Sequence, residues 1–429
     1  MAVVKVVVAL AVFTLLGISW QVEAATITAA SCSRTDVGNA VTSAVDGDTV
    51  QIPAGTCSWT SQLNISAAIT LIGAGIDQTV ILDDVPKVTL NENVILFIGL
   101  NTATKCIRVS GFTLKAGSVT TKALAPALGI GGFSHCVRVD HMKFSNLLSR
   151  VFWFTGDLWG VVDHCTFIST VNVEPFLIYH DQWQGIGVNG NNSWATPANL
   201  GTQQFIFFED NIFDATGGGV TGTDGTGGGR AVFRRNTFIN MVLSNHGTES
   251  SGIVRSFRVW EVYNNTFTFP GPGTFFSAVG LRGGTGVVHD NTFTGFDNAV
   301  TGSNFRDNQA FAPWGQCNGT SPYDQNTPGQ TGYPCIDQVG RGQGDLMDML
   351  APTYTPAPVA WPRQALEPLY VWNNVVNGGV VVSGQTPHVV VGRDILLTPM
   401  PNYTPFTYPH PLVGGTQTAP SLPAGLTVR

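Results

Sequence analysis

Acids, histidines and arginines recur through the middle of this chain, at unequal offsets. In order they are His180 with Asp181, Asp224, His246 with Glu249, Arg255 and Arg258, then Arg282 and Arg306. Carboxylates and imidazoles can move protons, and a guanidinium grips a carboxylate with two parallel hydrogen bonds. Asp181, Asp224, His246 and Glu249 are the candidate catalytic groups. His180, Arg255, Arg258, Arg282, Arg306 and the ring of Trp183 are the candidate substrate contacts. A row of acids leading into His and Arg would suit a sugar chain. Each residue also has a plainer reading. His180-Asp181 can close a turn, and Asp224 sits in the Gly-rich stretch Thr221–Gly229, where Asp is common.

Such residues act together only if something brings them together, and the chain carries a repeat that can. Val-Asp-His-Met-Lys-Phe (139–144) and Val-Asp-His-Cys-Thr-Phe (162–167) are followed by Phe-Glu-Asp-Asn-Ile-Phe (208–213) and Phe-Arg-Arg-Asn-Thr-Phe (233–238). Val-Tyr-Asn-Asn-Thr-Phe (262–267) and Val-His-Asp-Asn-Thr-Phe (288–293) come next, with a looser Trp-Asn-Asn-Val-Val at 372–376. A period of roughly 25 residues, with short β-rich runs and turns, is one coil of a stacked solenoid. Coils then lie about 4.8 Å apart, and the usual hand of parallel connections makes the solenoid right-handed. The residue two before each closing Phe becomes Asn in the later coils: Asn211, Asn236, Asn265, Asn291 and Asn374. These should form an amide ladder along one turn.

The expected fold is therefore all-β, a right-handed parallel β-helix with a short N-terminal capping helix. Thr35 or Asp36 caps that helix, whose apolar stripe is Val37, Ala40, Val41, Ala44 and Val45. Residues 1–24 read as a signal peptide, 25–395 as the β-helix with a loop insertion at 308–365, and 396–429 as a Pro-rich tail over the surface.

Asp36–Cys57, Leu71-Ile-Gly-Ala-Gly75 and the Asn-Thr-Phe coils resemble the pectate-lyase-like superfamily of right-handed parallel β-helix proteins. The resemblance covers about residues 30–300 and 365–395. It implies a carbohydrate-active enzyme, or one of the phage tailspikes and adhesins that share the fold. Asp224, Asn245-His246-Gly247 and Arg282 follow the order found in polygalacturonase-type hydrolases. The Asp-Asp pair, Asn-Thr-Asp and Arg-Ile-Lys of those enzymes are missing here, so acid and base stay open between Asp181 and Asp224. Inverting carboxyls need roughly 6.5–9.5 Å between them, which two coils would provide. The resulting expectation is a secreted enzyme hydrolysing a polysaccharide, one that contains uronate. β-Elimination is the alternative, with Arg255, Arg258, Arg282 or His246 as base or neutraliser and Ca2+ on Asp181 and Asp224 as an aid. No other cofactor is implied. A non-catalytic surface, adhesive or filament-forming protein is the third reading, with self-association as its mark.

A net charge of −7 and only 11% charged residues argue against nucleic acid and anionic membranes as partners. Cys32–Cys57 and Cys317–Cys335 are candidate disulfides. Cys106 and Cys136 are expected to pack as buried thiols. Trp153, Trp183, Trp194 and Trp314 are candidates for stacking on sugar rings.

Overall fold

The computed structural model describes residues 24–87, 95–170, 176–179, 190–217, 223–249, 254–321, 323–324, 335–344, 364–384 and 387–414. The expected signal peptide, except its last residue Ala24, therefore lies outside the described residues. Among the described residues the strands gather into three sheets, and every strand pairs with its neighbours in parallel. One coil runs Arg230–Arg234 in the first sheet, Thr237–Ile239 in the second and Leu243–Ser244 in the third. The next repeats this with Val259–Tyr263, Thr266–Thr268 and Phe275–Leu281. Between these two coils each sheet advances by one strand, which is the construction of a parallel β-helix.

The repeated phrase sets the register. Phe144, Phe167, Phe213, Phe238, Phe267 and Phe293 pair in sequence along the second sheet. Their buried rings stack at 4.4 to 4.9 Å between centroids. The amide ladder is present as expected. Asn211, Asn236, Asn265 and Asn291 each donate from Nδ2 to the next Oδ1 at 3.0 Å, ending on Asn374. The left-handed residue of each turn is the one before the ladder position, which Met142 and Cys165 occupy in two early coils and Asn in the later ones. His141, His164, Asp210, Arg235, Asn264, Asp290 and Asn373 all have φ between 50° and 57°. The Asn itself is left free to bond across coils.

The helix Arg34–Ser43 begins earlier than expected. Ser33 caps it by accepting from the Asp36 amide at 3.1 Å. Val37, Ala40 and Val41 are buried, whereas Val45 lies beyond the helix and is exposed.

The expectation for Cys106 and Cys136 is overturned: they form a disulfide, with 4.6 Å between Cα atoms. The pair Ile107 and Val137 follows them in register on adjacent parallel strands. Interstrand spacing thus brings the two Cβ atoms within disulfide reach. Cys32–Cys57 and Cys317–Cys335 are also bonded. Cys165 is a buried free thiol whose pKa burial pushes well up, so it is inert.

The C-terminal segment crosses the outer face of the first sheet. Phe406 and Leu412 cover Phe207 and Val232 there. Tyr403 donates to Glu261 Oε2 at 2.6 Å, and Arg234 donates to the carbonyls of Phe406 and Thr407.

Candidate functional site

The third sheet carries an open cleft of about 480 Å³. Its walls come from consecutive coils: Ser244, then Phe276 and Arg282, then Ser303 and Phe305, then Ser383. Phe276 is 66% exposed and Phe305 47%. In the strand Phe275–Leu281, two successive Phe residues cannot both face inward, because side chains alternate. Phe276 is the one that faces out. That doublet is the sequence signal for this wall, and it carries no charge.

Arg282 is the charged group of the cleft lining. Its Nε donates to the Asn245 carbonyl at 2.5 Å, and Nη1 meets Glu249 Oε1 at 2.9 Å. The guanidinium carbon lies 5.0 Å over the Phe305 ring, a cation–π contact. Asn245 holds the turn by accepting from the Arg282 amide and donating to the Gly283 carbonyl. Glu249 is buried and also accepts from the Gly247 amide.

Register brings further expected residues to this edge. The His246 amide donates to the Gly225 carbonyl at 2.8 Å, and Thr223 and Ser244 exchange hydrogen bonds at 2.7 and 2.9 Å. Asp224 therefore lies one coil before Asn245–His246 and two coils before Arg282. Asp224, His246, Glu249 and Arg282 share one edge of the stack, and His246 is partly buried. His180, Asp181 and Trp183 lie outside the described residues.

The remaining arginines are placed elsewhere. Arg255 is fully buried, with its Nε and Nη2 on the two oxygens of Asp337 at 2.8 and 2.7 Å. Arg306 is fully buried and donates to both oxygens of Asp324. Arg258 meets Glu367 at 2.9 Å and lies over Trp194 at 5.0 Å, and burial lowers its pKa. None of the three faces solvent. Asp324, Asp337 and Glu367 follow the last strand of their coil and precede Leu369–Trp372, so these pairs fasten the inserted segment to the coils. In a chain this poor in charge, Asp324 and Asp337 in the insertion and Glu367 just after it were the available signal for that role. Trp194 and Trp314 are also fully buried, which removes them from sugar stacking. Asp140 and Asp163 are held by Arg108 and Arg138, and Glu209 by Arg234, all within the stack.

No protein-family model matches the chain, and no curated protein matches it. Among solved structures it is similar to PfbA, a surface adhesin of Streptococcus pneumoniae. Identity is 12%, coverage is 62% of this chain and 81% of that one, and the TM-score is 0.40. It is similar to a PL6 family polysaccharide lyase, Pedsa3628 from Pseudopedobacter saltans, at 14% identity, with 84% and 78% covered and a TM-score of 0.39. An alginate lyase from Paenibacillus sp. str. FPU-7 matches at 13% identity, with 64% and 99% covered and a TM-score of 0.36. These likenesses are loose and do not choose among activities.

Proposed function

We propose that this chain is a carbohydrate-active β-helix protein that binds a polysaccharide across its coils and cleaves it at the Asp224–His246–Arg282 edge. The observation that carries this reading is the cleft itself. Two exposed Phe rings offer stacking faces, a row of Ser hydroxyls offers hydrogen bonds, and one braced Arg offers a carboxylate site. The substrate is then a uronate-containing chain. In hydrolysis, Asp224 and Glu249 are the carboxyl pair. Arg282 on the cleft wall beside His246 favours β-elimination as a second reading, with Arg282 neutralising the uronate and His246 taking the proton. Right-handed coiling and a lid role for the helix Arg34–Ser43 belong to the same reading. Three disulfides accord with an oxidising, extracellular setting. Among the described residues no helix is long and apolar enough to cross a membrane.

The test is incubation with a panel of neutral and uronate polysaccharides, following reducing ends and the ultraviolet absorbance of unsaturated products. New ends alone indicate hydrolysis, and ends with absorbance indicate elimination. Asp224→Asn and His246→Ala should each abolish the signal in folded protein. No cleavage of any polymer, with or without calcium and across pH, would refute the enzyme reading.

A further inference from the structure

The repeat sets an imidazole on the outside of the same turn in two successive coils. His141 and His164 take its left-handed position, with φ of 50° and 52°, and the His141 amide donates to the Asp163 carbonyl at 3.2 Å. Their rings are parallel, with 4° between the planes and 5.3 Å between the centroids. Both side chains are open to solvent, at 56% and 45% exposure. Each Nδ1 nevertheless rests on a buried carboxylate: His141 on Asp140 Oδ2 at 2.8 Å, and His164 on Asp163 Oδ2 at 2.9 Å. Those carboxylates are themselves held. Arg108 donates to both oxygens of Asp140 at 2.6 Å, and Arg138 to both oxygens of Asp163 at 3.0 Å. A carboxylate gripped by arginine only accepts, so each Nδ1 carries the hydrogen and each Nε2 keeps its lone pair. Neither coil contributes an amide to the ladder, because Met142 and Cys165 stand where the later coils have Asn.

We propose that His141 and His164 form a two-histidine site for an imidazole-seeking divalent transition-metal ion, copper(II), nickel(II) or zinc(II), bound through the two Nε2 atoms. Imidazole suits these ions, and copper(II) heads their order of affinity. A metal-binding histidine usually donates its other ring nitrogen to a carboxylate, which fixes the tautomer and the ring. Both histidines already do so. At about 2.1 Å for each metal–nitrogen bond, the two nitrogens must stand ~3–4 Å apart. Parallel rings 5.3 Å apart reach this by leaning together by roughly 1–2 Å in all, hinged at Nδ1. Exposed side chains make such movements readily. The row of imidazoles stops at His164, because the next coil has Asp210 in that place, and its carboxylate accepts from the Tyr408 hydroxyl. A bound ion would tie together two coils that have no amide pair between them.

The experiment uses the full chain with its disulfides intact and copper(II) as the probe. Calorimetric titration in a non-coordinating buffer should show a site for one copper per chain. The electron paramagnetic resonance spectrum should carry the nitrogen splitting of two imidazoles. His141→Asn and His164→Asn keep the turn, since Asn264 and Asn373 hold the same left-handed position in later coils. Each should leave the metal-free melting temperature unchanged and weaken copper binding by at least about tenfold, the low end of what even the outer partners of a metal site are worth. The double variant should lose the site. Copper should raise the melting temperature of the unmutated chain and not that of the double variant. Equal copper affinity in the unmutated chain and the double variant would overturn the proposal. So would a spectrum with a single coupled nitrogen, or a single variant that keeps full affinity.

Discussion

Replacing Asn236 by Ala tests whether the amide ladder holds the stack together. Asn236 Oδ1 accepts from the Asn211 amide at 3.1 Å and from Asn211 Nδ2 at 3.0 Å. Its Nδ2 donates to the Phe208 carbonyl at 2.9 Å and to Asn265 Oδ1 at 3.0 Å. After truncation, Asn211 Nδ2 keeps the Val162 carbonyl and Asn265 Oδ1 keeps the residue-236 amide. The Asn211 amide and the Phe208 carbonyl lose those bonds in a site that water does not reach. A buried group stranded in this way costs about 1–3 kcal/mol, so the pair should cost ~2–6 kcal/mol. Asn374 provides the internal comparison. It ends the ladder and is only partly buried, so water can replace its amide, and Asn374→Ala should cost about 1 kcal/mol. Urea unfolding followed by circular dichroism gives both values, with an unchanged slope required for the comparison. Equal losses in the two variants, or less than about 1 kcal/mol for Asn236→Ala, would refute the ladder as a stabilising element.

Glu261 is buried beneath the C-terminal segment, and desolvation raises its pKa from 4.5 to about 7. The folded state thus holds this proton more tightly than the unfolded chain. The associated stability is complete below about 4.5 and is lost as pH rises through about 7. The loss is up to ~3 kcal/mol, and Glu261→Gln should flatten that part of the stability–pH curve. Arg255→Met should cost about 3–5 kcal/mol by leaving Asp337 buried without its partner, whereas Arg255→Met with Asp337→Leu should recover most of it; thermal unfolding of the double-mutant cycle measures this. Phe276→Ala should leave the melting temperature unchanged, because the ring is already exposed. It should weaken polysaccharide binding by about tenfold, on the order of 1 kcal/mol or more of stacking, in affinity electrophoresis; unchanged mobility would remove the cleft from the binding surface. Ending the chain before Tyr403 should expose Phe207 and Val232 and raise hydrophobic-dye binding.

The repeat determined the coil, the Phe stack and the Asn ladder, because these depend on one residue type returning to the same place after each circuit. Parallel pairing between neighbouring coils turns that period directly into contact. The helix Arg34–Ser43 was legible for a similar local reason, although its cap at Ser33 and the exposure of Val45 depended on where the chain turned. Tertiary structure decided the contacts that the period does not encode. Arg255, Arg258 and Arg306 could equally have faced a groove or the interior, and the choice was made by Asp337, Glu367 and Asp324 arriving from a segment outside the repeat. Cys106 and Cys136 occupied matched positions in the sequence, but the 4.6 Å between their Cα atoms made them a bond. The C-terminal segment returned nearly two hundred residues to cover Phe207 and to bury Glu261. The cleft arose from stacking, since Ser244, Phe276, Phe305 and Ser383 are distant in sequence and meet only because each coil sets its third-sheet strand beside the last.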